Sequence, residues 1–424
     1  MTENILNKKN DLRVNRNKDI FKESYIWNLS ASLLFGFQSV ILLIVLTRTV
    51  GLEDVGIFTI SYANASLLLF LGKYGVRNYQ VSDVNEDHTF GDYKIARCIS
   101  VGLMIAVAMG YTVFAVLVQN YSAKKSWIIF FMCLYKVPDA IEDVFFGEYQ
   151  RKGRLDIAAK AMTVRLGFAI TSFILLVAAT KDLLLSLIFA TVFSFITMFF
   201  LLKRTVGIFE MKNRVDKKSV LFLLRDCFPL FAGSFLAQYI GNAPKYAIDA
   251  QLSDELQAYY GFIAMPVFII GLLNNVIFAP IIYKMAEYWK MKKKNFFLKR
   301  FLIQIIIVIG INLVCVIGAY MIGIPILSLL YNTDLHEYRN ELLILLLGGG
   351  FLAISGLLNI VVTIMRFQSA LLWGYFVVSI LAFLFSNYII DLYGIAGAAW
   401  LYTGLMGILC IFFLVIFIVG FRRN

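Results

Sequence analysis

Residues 392–421 read LYGIAGAAWLYTGLMGILCIFFLVIFIVGF, thirty residues without a charge, and Arg422-Arg423 follows at once. Crossing the hydrocarbon core of a bilayer takes roughly 20 apolar residues in a helix, so this run has length to spare. Comparable uncharged runs occupy residues 26–47, 98–123, 183–202, 256–283, 301–333 and 342–365. Across all 424 residues 60% are hydrophobic and only 16% charged, too little polar surface for a soluble domain of this length. The runs are continuous rather than alternating, which argues against a β-barrel. The first 25 residues are polar and charged, unlike a cleaved leader.

These runs predict an all-α fold, a polytopic transmembrane bundle of about twelve helices. The spans lie near 26–48, 57–75, 98–119, 126–148, 157–179, 183–202, 227–248, 257–282, 301–322, 342–365, 367–390 and 394–421. Basic residues orient them. With the N-terminus on the cytoplasmic side, strict alternation places 31 Lys and Arg in inner segments. The outer loops then hold only Lys124, Lys125, Lys181 and Arg339. One missing helix would scramble that bias, so both termini are expected to be cytoplasmic. The basic linker 206–226 divides the chain into an N-terminal lobe, 1–205, and a C-terminal lobe, 227–424, with six spans each. Short echoes agree with two pseudosymmetric lobes around a central cavity: Phe35-Gly-Phe-Gln38 and Phe235-Leu-Ala-Gln238 sit at matching points of the first and seventh spans.

Several function classes fall away. The net charge of +12 is explained by basic residues at cytoplasmic helix ends, not by a nucleic-acid partner. The five cysteines are scattered, with no CxxC or His/Cys cluster, so neither a disulfide nor a metal is expected. There is no phosphate-binding GxxxxGK[ST] loop, and no GxSxG or HExxH sequence, so no cofactor and no enzymatic activity are assigned. His88 and His336, the only histidines, both fall in expected loops.

Charges inside spans are costly, each roughly 2.5–3.5 kcal/mol at mid-bilayer on insertion scales, and normally face protein or water. The fourth span, Cys133-Leu-Tyr-Lys136-Val-Pro138-Asp139-Ala-Ile-Glu142-Asp143, carries most of them. Lys136, Asp139 and Asp143 share one helical face, Glu142 lies beside it, and Pro138 predicts a kink. Asp143 lies about 8 Å in from the cytoplasmic end of its span, and Arg165 about 12 Å in on the fifth. Arg165 is therefore either a scaffold partner of Glu142 or Asp143, or a binding group for an anionic substrate. Lys136, near mid-depth, is the candidate for a cation without a counter-charge. Arg48 and Lys245 lie near the outer ends of the first helix of each half, where Arg48 can snorkel and Lys245 can pair with Asp249. The acidic set Asp139, Glu142, Asp143 and Asp249 also suits proton or sodium coupling.

Four segments carry a family resemblance. They are Tyr25-Ile-Trp-Asn-Leu-Ser, Leu46-Thr-Arg48-Thr-Val-Gly51-Leu-Glu53-Asp-Val-Gly56-Ile-Phe58, Gly147-Glu-Tyr-Gln150-Arg-Lys-Gly-Arg154 and Phe228-Pro-Leu-Phe-Ala-Gly. Together they resemble bacterial polysaccharide repeat-unit flippases of the Wzx type, within the multidrug/oligosaccharidyl-lipid/polysaccharide exporter superfamily. The resemblance implies a two-lobed transporter in the cytoplasmic membrane. It would carry undecaprenyl-pyrophosphate-linked oligosaccharide from the cytoplasmic to the outer leaflet by alternating access, for capsule, O-antigen or a related polymer. It also implies membrane lipids as neighbours and association with a polymerase and glycosyltransferases. A cationic lumen is common in that family, and placement makes Lys136, Arg165, Arg48 and Lys245 candidates for it here. A drug exporter of the same superfamily ranks second, because organic cations call for acidic cavities. A repeat-unit polymerase ranks third, because no long outer loop exists.

Overall fold

The computed structural model describes residues 2–423 except 84, 210 and 212, with side chains from residue 23 onward apart from 272–277, 279 and 280. Among the described residues there are helices and no strands. In chain order they are α1 (Thr2–Thr49), α2 (Leu52–Lys73), α3 (Val76–Ser82), α4 (Phe90–Leu117), α5 (Ala123–Arg151), α6 (Leu155–Thr180) and α7 (Leu183–Val206). There follow α8 (Lys217–Gln251), α9 (Asp254–Lys290), α10 (Lys294–Gly318), α11 (Ile324–Tyr331), α12 (Arg339–Ile364) and α13 (Gln368–Arg423).

Nine helical stretches among the described residues are long and apolar enough to cross a membrane. Helices α5 and α9, with 29 and 37 residues, have the length as well. Helix α13 is two spans, because Gly394 breaks it at φ 57°, ψ −137°, a conformation open to little but glycine. Among the described residues twelve helical stretches of spanning length result, as the apolar runs predict. The protein is thus a multi-pass membrane protein. Its polarity is arranged for lipid: Leu302, Ile306, Ile309, Leu313 and Ile317 on α10 are exposed, while Lys136, Asp139, Glu142 and Asp143 on α5 are buried.

Boundaries differ at one informative place. The span expected to begin at residue 98 begins at Phe90, where Thr89 and Asp92 form a reciprocal capping box. Arg97 is consequently helical and 2% exposed rather than part of an inner loop. On the other side of that loop, a left-handed residue at Tyr74 (φ 48°) ends α2, and α3 continues for two more turns. Helix α5 runs as one element through Pro138.

The chain forms two compact units. One comprises Met1–Thr49 and Asn64–Phe231, the other Val50–Ala63 and Ala232–Asn424. In the first, α5 packs against α3, α4 and α7, and α6 against α1 and α7. Val76, Tyr93, Val144, Leu223 and Cys227 form a buried cluster joining α3, α4, α5 and the start of α8. In the second, α12 packs against α9, α10 and α13.

Candidate functional site

Helix α5 presents Lys136, Asp139, Glu142 and Asp143 to its neighbours in the first unit, and each is at most 6% exposed. A bare charge in that setting costs several kcal/mol, so the partners decide what each can do. Lys136 donates to Gln38 Oε1 at 2.6 Å and lies 3.6 Å from Asp139 Oδ2. Its ammonium also sits 5.0 Å from the Phe35 ring centre on α1. Gln38 in turn donates to the Tyr135 hydroxyl at 2.6 Å. Arg165 reaches in from α6 with its whole guanidinium engaged. Nε donates to Glu142 Oε2 at 2.7 Å, Nη1 to Ser194 Oγ at 3.0 Å, and Nη2 to Asp139 Oδ1. This rigid fork of donors is a geometry that lysine cannot supply.

Asp143 belongs to a second knot one turn on. Arg97 Nη2 donates to its Oδ2 at 2.7 Å, and Arg97 Nη1 donates to the Gly72 carbonyl at 2.6 Å. The remaining oxygen, Oδ1, faces Arg77 Nη1 at 3.5 Å and Lys73 Nζ at 3.9 Å. Arg77 also donates to Gln150 Oε1 at 2.9 Å, and Lys73 lies 5.3 Å from the same Phe35 ring. Five cations therefore meet three carboxylates. The three fully buried cations are closely matched, and the surplus of two positive charges falls on Lys73 and Arg77, whose side chains are 30% and 29% exposed.

The corner between α3 and α4 braces this end of the unit. Asp83, beyond the span, accepts from the Tyr93 hydroxyl at 2.7 Å and from the Asp87 and His88 amides at 3.0 and 3.2 Å. Burial pushes the Asp83 carboxyl up, but these bonds and the nearby Arg151 outweigh it and hold it below the usual carboxylate range.

Two expectations need correction, and a third is met for one of its two partners. Lys136 is not a cation without a counter-charge, because the turn that brings Asp139 to i+3 also brings it within ion-pair distance. Of the two scaffold partners expected for Arg165 it takes Glu142, Asp139 joins as a partner that was not expected, and Asp143 is occupied by Arg97. Lys245 makes no ion pair with Asp249, and among the described residues no carboxylate lies within 4.0 Å of it. A lysine four residues before an acid is the weaker orientation on a helix. Arg48 is exposed in the last turn of α1, where a cation suits the helix dipole. The structure thus gathers Lys136, Arg165, Asp139, Glu142 and Asp143 into one network within the first unit, while Lys245 and Asp249 lie on α8 within the second. Sequence reading missed Arg97, Lys73 and Arg77, which were counted as loop cations. Their signal was the capping pair Thr89/Asp92 and the i, i+4 spacing of Lys73 and Arg77.

This chain is similar to known proteins over most of its length. Residues 21–289 match the family model described as polysaccharide biosynthesis protein. The capsular polysaccharide biosynthesis protein CapF of Staphylococcus aureus is 24% identical over 333 residues, 77% of this chain and 81% of that protein. Among solved structures, an inward-facing multidrug resistance MATE family transporter of the MOP superfamily superposes with TM-score 0.67 at 12% identity, covering 94% of this chain and 97% of the other. The lipid II flippase MurJ in an inward closed conformation gives TM-score 0.66 at 14% identity, covering 95% and 89%. At such identities the structural likeness speaks for the fold, and the sequence match speaks for the family. The chain belongs to the polysaccharide biosynthesis protein family and has the fold of the MOP superfamily transporters.

Proposed function

We propose that this protein is a flippase that moves undecaprenyl-pyrophosphate-linked oligosaccharide repeat units from the cytoplasmic to the outer leaflet by alternating access. The membrane is the bacterial cytoplasmic membrane, and both termini face the cytoplasm, as the 31-to-4 distribution of basic residues supports. The observation that carries this reading is the two-charge surplus at Lys73 and Arg77. A diphosphate carries charge of the opposite sign and similar size, and it offers oxygens for both donors at once. Within the second unit, Lys245 on α8 is half-buried with no described carboxylate within 4.0 Å, and is by itself a further candidate cation for an anionic ligand. The likeness to a capsular polysaccharide biosynthesis protein favours a capsule-type polymer as the end product. No covalent step is asked of the protein. Its work is to shield a headgroup that hydrocarbon rejects, while the polyprenyl chain stays in lipid.

The test is the leaflet distribution of lipid-linked oligosaccharide in the source cell with the protein depleted and then restored. Completed units trapped on the cytoplasmic leaflet by depletion, and released by restoration, are the expected result. Units that reach the outer leaflet without being polymerised would make the protein a polymerase. If neither step changes, the exporter reading suggested by the MATE likeness takes over.

A further inference from the structure

We propose that Glu142 is a proton-binding site of the transporter, with the proton carried on Oε1. The inference starts from an atom without a partner. Glu142 is 1% exposed, and its Oε2 accepts from Arg165 Nε at 2.7 Å. Its Oε1 is buried and accepts nothing from any described group. A carboxylate oxygen in such a position forfeits its hydration with no return, and buried polar atoms of this kind call for an explanation.

The surroundings single out Glu142 among the three carboxylates. Asp139 is held by Arg165 on one oxygen and faces Lys136 on the other. Asp143 is held by Arg97 and faces Arg77 and Lys73. A proton on either would strip a buried cation of its counter-charge. A proton on Glu142 leaves every buried cation in contact with a carboxylate: Arg165 keeps Asp139, which it then shares with Lys136, and Ser194 still accepts from Nη1. The cheapest place to add one positive charge to the network is therefore Glu142 Oε1.

The groups that bear on that oxygen are few. From α5 they are Asp139 and Tyr149, from α6 Arg165, and from α2 Lys73. Helix α7 contributes the neutral Ser194, and α1 the neutral Gln38 beside Lys136. Helices α3 and α4 contribute Arg77 and Arg97, both directed at Asp143. The step is a simple association: the carboxylate takes a proton from water, becomes a carboxylic acid, and the network gains one unit of charge. A sodium ion would need several oxygen ligands, and among the described residues no group of three acidic, histidine or cysteine side chains is arranged to hold a metal ion. The site stands whether the cargo is a lipid-linked glycan or another anion, so its test is kept apart from transport.

The experiment is infrared difference spectroscopy of the full chain in lipid nanodiscs as the pH is lowered from neutral. A protonated carboxyl band is expected, shifted by carbon-13 labelling of glutamate and unmoved by labelling of aspartate. The band is expected to vanish in Glu142→Gln and to move in Glu142→Asp, which keeps the charge if the glutamine variant fails to accumulate. A band that follows the aspartate label, or that survives both substitutions, overturns the assignment. So does a spectrum that responds to added sodium at fixed pH instead of to acid.

Discussion

Arg165 fixes the behaviour of the first unit more than any other single side chain. All three of its guanidinium nitrogens donate, to Glu142, Ser194 and Asp139, and it is 2% exposed. Removing one member of a buried pair leaves the other charged and unsolvated, which costs about 3–5 kcal/mol. Here two carboxylates would be stranded. Arg165→Ala is expected to lower membrane accumulation sharply and to reduce the melting temperature in detergent. Arg165→Lys should restore little, because one ammonium cannot serve two carboxylates on α5 and a hydroxyl on α7 in the geometry of the guanidinium. A variant that accumulated and melted normally would show that the triad is dispensable scaffold. The same residue illustrates the limit of spacing arguments. Sequence placed Arg165 at the level of the acidic stripe, and the pairing with an acid was legible. Which acid it takes was not, since Asp139, Glu142 and Asp143 lie within a turn or so of one another and the choice depends on how α6 is rotated against α5.

At the scale of elements, the close approaches matter. Gly56 in the first turns of α2 lies against the backbone of Asp254, at the start of α9, within the second unit. A Cβ there would meet the Asp254 carbonyl, and a backbone atom cannot swing aside as a side-chain tip can. Gly56→Ala is expected to destabilise the second unit by about 1–3 kcal/mol, the usual range for overpacking. Thermal unfolding monitored by tryptophan fluorescence would read it. An unchanged midpoint would mean that α2 shifts freely along α9. Helix starts were only partly legible. The capping pair Thr89/Asp92 was present in the sequence, yet the charge at Arg97 made residues 90–97 read as loop. Hydropathy penalises any charge within a span and cannot register that the charge is matched by Asp143 on the next helix.

For the whole molecule, the balance of charges predicts where substitutions separate stability from transport. Lys73 and Arg77 are partly exposed, and each lies farther from Asp143 than Arg97 does, so losing either should change stability by no more than about 1 kcal/mol. A charge-assisted bond to phosphate is worth about 1.5–3 kcal/mol, roughly tenfold to a hundredfold in binding. The Lys73→Ala, Arg77→Ala double variant is therefore expected to accumulate normally while translocation of lipid-linked oligosaccharide falls by about that factor. Normal translocation in a well-expressed double variant would remove the surplus charge from the account.

By itself the sequence determined the helical class, the twelve crossings, the break before residue 394 and the presence of costly charges in the fourth and fifth spans. Those features follow from hydropathy and helical period, which are local along the chain and need no knowledge of neighbours. Only the tertiary structure decided that Lys136 is matched, that Arg97 joins the buried network, and that the unspent positive charge rests on Lys73 and Arg77. Charge pairing is a property of distances between helices. Rotating α5 against α4 and α6 by a fraction of a turn redistributes every partner, and no local pattern records that rotation.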